Sequence, residues 1–236
     1  MRLIVAVFLL CVGQACRCAD GAFDIDRSKL ESSNEMTSLQ ATSQVEGEQI
    51  VGYLKPILQN SQLVGRMYYS GDCNDDSGNG PKFPIFDLEP PSPNSSGLSV
   101  IRKLFRNAPN VGVSASEDGI VRITLGEVST EFLETKIHAL DLDLFSQYDY
   151  TRAIWQIEGS AEAKAAAERL GVRRESSLLE MALTDGPEEG RPHLPPSLKN
   201  VTLDQALDLV ATTFKGIVIY SACNPPKRFA IYFRKL

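Results

Sequence analysis

Two histidines, His138 and His193, are the chain's whole supply of side chains whose ordinary pKa lies near neutrality. Set beside a carboxylate, Asp141 for the first or Asp185 for the second, either has the makings of a general base, the minimum a small hydrolase requires. Their surroundings favour quieter roles. His138 alternates with Leu140 and Leu142, the register of a half-buried strand residue, and His193 stands in RPHLPP, a proline-stiffened loop. Metal chemistry is no better supplied. DCNDDSGNG places Asp72, Asn74 and Asp76 at the alternate spacing of a calcium loop, but Ser77 holds the sharp-turn glycine position and Phe83 the bidentate glutamate position. Histidines and cysteines together show no zinc spacing. No nucleophile elbow, phosphate-cradling glycine loop or helical carboxylate pair is present. The expectation is therefore no catalytic residue, no metal and no cofactor.

Cysteine is the remaining reactive side chain, and its five copies sort by position. Cys11 lies in an apolar run, residues 3–12, behind the basic start Met1-Arg2. That is a secretory signal, too short for the ~20 residues of a membrane-spanning helix. Small residues permit a cut anywhere from residue 15 to 19, so Cys16 and Cys18 straddle it and 1–19 is read as the signal peptide. Lipidation of Cys16 wants an aliphatic residue three places upstream, where Gly13 stands. Cys73 and Cys223 stay with the mature chain, each just after a run of strand formers ending in Tyr-Ser. In an oxidising compartment an even pair points to a disulfide, with two unpaired thiols as the alternative.

The elements that must carry these groups follow from periodicity. Residues 20–45 are polar and aperiodic, a flexible leader. Ser43 and Glu46 have capping-box spacing, and Ile50, Val51, Leu54, Ile57 and Leu58 share a helical face that Pro56 should interrupt. Residues 64–70 read as a strand. Then a pattern of strand, Pro-rich loop, amphipathic helix and two hairpin strands occurs over 82–125 and again over 177–233, a degenerate repeat. In the second copy Thr202 and Gln205 cap a helix whose stripe is Leu203, Ala206, Leu207, Val210 and Phe214, leaving Asp204, Gln205 and Asp208 toward water. Between the copies, 135–142 reads as a strand and 150–157 as a helix with Trp155 as its packing anchor. Ser160 caps an alanine-rich helix stopped by Gly171. The fold class is α+β: a first module (46–126), an insertion (127–176) and a second module (177–236).

The run NVTLDQALDLVATTF, with GIVIYSAC and FAIYF after it, resembles the short N-terminal domain of secretins and TonB-dependent transducers (STN). Val201, Leu203, Ala206, Leu207 and residues 217–219 carry the likeness, which covers about 198–233. It implies a small α+β module of the bacterial envelope that makes protein contacts.

Charge agrees with such a role. With 30 acidic against 24 basic residues the net charge is -6, and loss of Arg2 and Arg17 with the signal makes the mature chain more acidic still. Nucleic-acid binding draws on clustered Lys and Arg, and the basic groups here (Arg102, Lys103 and Arg106; Lys227, Arg228, Arg234 and Lys235) are small. The sequence thus predicts an exported, periplasmic or extracellular protein without a membrane span, acting as a non-enzymatic module for an envelope partner. A secreted hydrolase using His193 or His138 is the alternative.

Overall fold

The computed structural model describes residues 43–45, 47–71, 86–175, 190–223 and 227–236. The signal, most of the leader, the 72–83 loop with Cys73, the expected 177–184 strand and Asp185 lie outside the described residues.

β1 (Ser43–Val45) pairs antiparallel with β3 (Phe86–Leu88), and between them run α1 (Gly47–Ser61) and β2 (Val64–Ser70). α2 (Leu98–Leu104) leads into the hairpin of β4 (Val111–Ala115) and β5 (Ile120–Leu125). β6 (Lys136–Asp141), α3 (Leu144–Tyr148), α4 (Tyr150–Glu158), α5 (Ala161–Leu170) and β7 (Arg173–Arg174) follow. The last stretch is β8 (Ser197–Thr202), α6 (Leu203–Phe214) and the hairpin of β9 (Gly216–Cys223) and β10 (Arg228–Lys235).

A strand buried along both faces needs cover on both sides of its sheet, and β2 is such a strand. It sits third in a six-stranded mixed sheet of order β4-β5-β2-β9-β10-β7, parallel to both β5 and β9. Alternate side chains serve two cores. Met67 and Tyr69 meet α1 and α2 through Ile50, Leu54, Ile57, Leu58 and Ile101. Val64 and Tyr68 meet the opposite layer, where Leu203, Ala206, Leu207 and Val210 of α6 pack with Ile154 and Ile157 of α4. The class is α+β, and the two hairpins of the repeated pattern enter one sheet in opposite order. β5, second of its pair, touches β2 on one side; β9, first of its pair, touches it on the other. Their helices, α2 and α6, cover opposite faces.

Local signals hold for most elements. Thr202 and Gln205 form the capping box of α6, and Ser160 and Gly171 bound α5. Three expectations change. Ser43 does not cap a helix: its backbone is paired with Leu88, and α1 begins at Gly47. Pro56 does not end α1, because the carbonyl it leaves without a donor belongs to Gly52, which is exposed with open space beside it, while fully buried Leu54, Ile57 and Leu58 hold the inner face. The end of the second Pro-rich loop is a strand, β8, paired with β6 and anchored by buried Leu198.

Candidate functional site

Parallel pairing of β2 with β5 sets Arg66 opposite Arg122, two cations side by side on the face beneath α6. Like charges so placed repel unless countered. α6 supplies the counter-charges one turn apart. Asp204 Oδ1 lies 2.7 Å from Arg66 Nη2, and Asp208 Oδ1 lies 2.8 Å from Nη1, which also donates to the Asp204 carbonyl at 2.8 Å. Arg122 Nη2 donates to the second oxygen of Asp208 and stands 3.9 Å from that of Asp204. Tyr68 donates its hydroxyl to Asp204 at 2.9 Å, and its ring lies 5.2 Å from the Arg66 guanidinium carbon. Asp204 and Asp208 thus face the sheet, not water as their helical position suggested. The reason is Arg66, wholly buried on the same face of its strand as Val64 and Tyr68. Burial pushes the Asp208 carboxyl up against the opposing pull of both guanidiniums, and pushes the Tyr68 hydroxyl up to about 12. Two cations and two anions close on one another, so the cluster locks α6 to the sheet.

The histidines are elsewhere and apart. His138 is not half-buried: its side chain is 73 % exposed, because Ile137 is the residue of β6 that points inward. Its backbone N–H donates to Glu162 Oε1 at 3.1 Å, a bond that lowers the Glu162 pKa. Asp141, three residues along the same strand, belongs to the other face and does not orient the imidazole. His193 is exposed and stacks on Tyr148 with ring centroids 5.2 Å apart, while Leu194 N–H donates to Gln147 O at 2.8 Å; together they clasp the loop to α3. Trp155, expected as a packing anchor, meets Arg174, whose guanidinium lies 5.7 Å from the ring and whose Nε is 2.7 Å from buried Glu158. Cys223 ends β9, where Gly71 N–H donates to Ala222 O at 3.0 Å as the chain leaves β2. Among the described residues no three of His, Cys, Asp and Glu gather as metal ligands would.

Among the described residues a groove and an edge stand out as accessible features. The groove, about 590 Å³, runs between the Pro90-Pro91 loop and α2, with Lys103 and Arg106 on one wall and Glu89 on the other. The edge is β4. Gly126 N–H donates to Asn110 O at 2.8 Å and Ser116 N–H to Ile120 O at 2.9 Å, so even-numbered residues bond to β5. Odd-numbered Val111, Val113 and Ala115 turn their N–H and C=O outward, where no strand among the described residues meets them. VGVSA carries no charge and no proline, the usual means by which an edge is blunted. The sequence leaves the contact surface unassigned; the sheet order singles out β4.

Compared with known proteins, the chain matches no family model, no curated protein and no solved structure. Among the described residues no helix is long and apolar enough to cross a membrane.

Proposed function

We propose that the chain is an exported module of the cell envelope that works by contact with protein and not by catalysis, taking an extended segment of its partner along β4. The observation that carries this reading is the open, uncharged edge at Val111, Val113 and Ala115. Strand addition there supplies main-chain hydrogen bonds, which give affinity without a deep pocket. The STN-like run over 198–233 and the signal-like residues 1–19 support the compartment. The exposure of both histidines, His138 beside Glu162 with Nδ1 3.7 Å from Oε1 and His193 stacked on Tyr148, weighs against the hydrolase.

A photo-crosslinking residue in place of Ser114, exposed on β4, is expected to capture a discrete envelope protein in native membranes. Absence of any adduct, or loss of the biological effect on His138→Ala or His193→Ala in a chain that still folds, would overturn the proposal.

A further inference from the structure

We infer that the protein filling the β4 edge is a second copy of this chain, joined antiparallel about a two-fold axis at Val113. The inference rests on the reading of β4 as a docking edge and adds the identity of its occupant. Its ground is the charge on either side of the strand. Before β4, on α2 and the turn after it, stand Arg102, Lys103 and Arg106; after it, at the hairpin tip, stand Glu117 and Asp118. All five are exposed, and among the described residues none has an ion-pair partner. A strand with a basic start and an acidic end repels a parallel copy, whereas an antiparallel copy sets each end against its opposite.

The hydrogen-bond parity fits the same axis. Val113 has its N–H and C=O directed outward, so two copies exchange both bonds at that position, with Val111 meeting the partner's Ala115 on each side. In this register Glu117 and Asp118 come abreast of the turn that carries Arg106 in the other copy. Pairing ends at two. At the far edge β7 is only Arg173 and Arg174, and β10 finishes in Arg234 and Lys235, charges that discourage another strand. The product is a closed dimer with one sheet running through both copies, not a filament.

Sedimentation of the mature chain over roughly 1 µM to 1 mM, the span of weak complexes, is expected to move from monomer to twice the monomer mass, with the midpoint rising several-fold between low and high salt. Val113→Pro removes an N–H that the β4–β5 ladder does not use, so the fold is kept while the dimer weakens at least tenfold. Arg106→Glu alone weakens it, as does Glu117→Arg with Asp118→Arg, and the three changes combined restore it. A chain that stays monomeric throughout, or a dimer indifferent to Val113→Pro and to the charge exchanges, overturns the inference. A monomer that still forms the Ser114 adduct with a different envelope protein overturns self-pairing alone and leaves the docking edge standing.

Discussion

Arg66 is the residue on which the α6 face of the sheet turns, and its pairing shows what single positions conceal. In sequence it interrupts a strand, and Asp204 and Asp208 sit where a helix shows its polar side; only a contact spanning 138 and 142 positions makes them one unit. Breaking a buried pair by removing one partner costs about 3–5 kcal/mol, because the other charge is stranded. Asp208→Ala is therefore expected to destabilise toward that range in chemical denaturation, with Asp204→Ala, at the more exposed rim, costing less. A double-mutant cycle of Arg66→Met with Asp208→Leu should give a coupling above about 1 kcal/mol; additive effects would refute the lock. Tyr68 brings a pH dependence. Its hydroxyl is raised by burial from 10.0 to about 12, so the unfolded chain releases that proton first. The stability it contributes is complete below pH 10 and is lost as pH rises toward 12, roughly 2–3 kcal/mol in all. Burial also raises Tyr69 and Tyr220, so the alkaline decline should be shallower in Tyr68→Phe but not absent. An unchanged slope would place the titrating group elsewhere.

Elements whose signals are local were legible before any coordinates. The capping box of α6 and the serine and glycine that bound α5 are each settled within a few residues of themselves. Elements settled by a distant partner were not. β1 is a strand because β3 lies beside it, and β8 is a strand because β6 does, although the sequence offers a cap in one place and prolines in the other. One glycine records such a long-range demand. Gly216 opens β9 beneath the Phe233 ring, and a Cβ there would overlap that ring and come within 2.8 Å of the Arg234 carbonyl oxygen. The ring has little room to yield, since Tyr150 stacks on it at 4.2 Å and Phe214 meets its edge at 6.4 Å. Gly216→Ala is thus expected to cost about 1–3 kcal/mol, the usual penalty of overpacking. Replacing Phe233 with Leu in the same chain should recover part of it, whereas a neutral Gly216→Ala would mean that β9 and β10 shift freely.

At the scale of the whole molecule, the central strand comes from the first half of the chain and one of its two parallel neighbours from the last quarter, so the fold closes only when residues about 150 apart are brought together. Hydrophobic pattern could supply the strands but not this order, because β2 and β9 read alike and either suits the middle of a sheet. The cysteines bear on the closure. β2 and β9 run parallel with Ser70 opposite Ala222, so both leave the sheet at the same end. Cys223 is the last residue of β9, and Cys73 comes two positions after Gly71, a reach of about 7 Å at full extension. Adjacent strands stand roughly 5 Å apart, and a disulfide tolerates Cα separations of about 4.4–6.8 Å, so we propose the Cys73–Cys223 bridge on chain reach alone. Peptide mapping without reduction should recover the two cysteines in one linked fragment. Reduction should lower stability by about 3–5 kcal/mol, the effect of closing a long loop in the unfolded chain. Cys73→Ser should weaken the chain as much as Cys223→Ser, and the double change no more than either. Free alkylation of both thiols in protein taken from the envelope would leave the sheet order intact but remove the covalent tie between its halves, and with it the sulfur-based support for export.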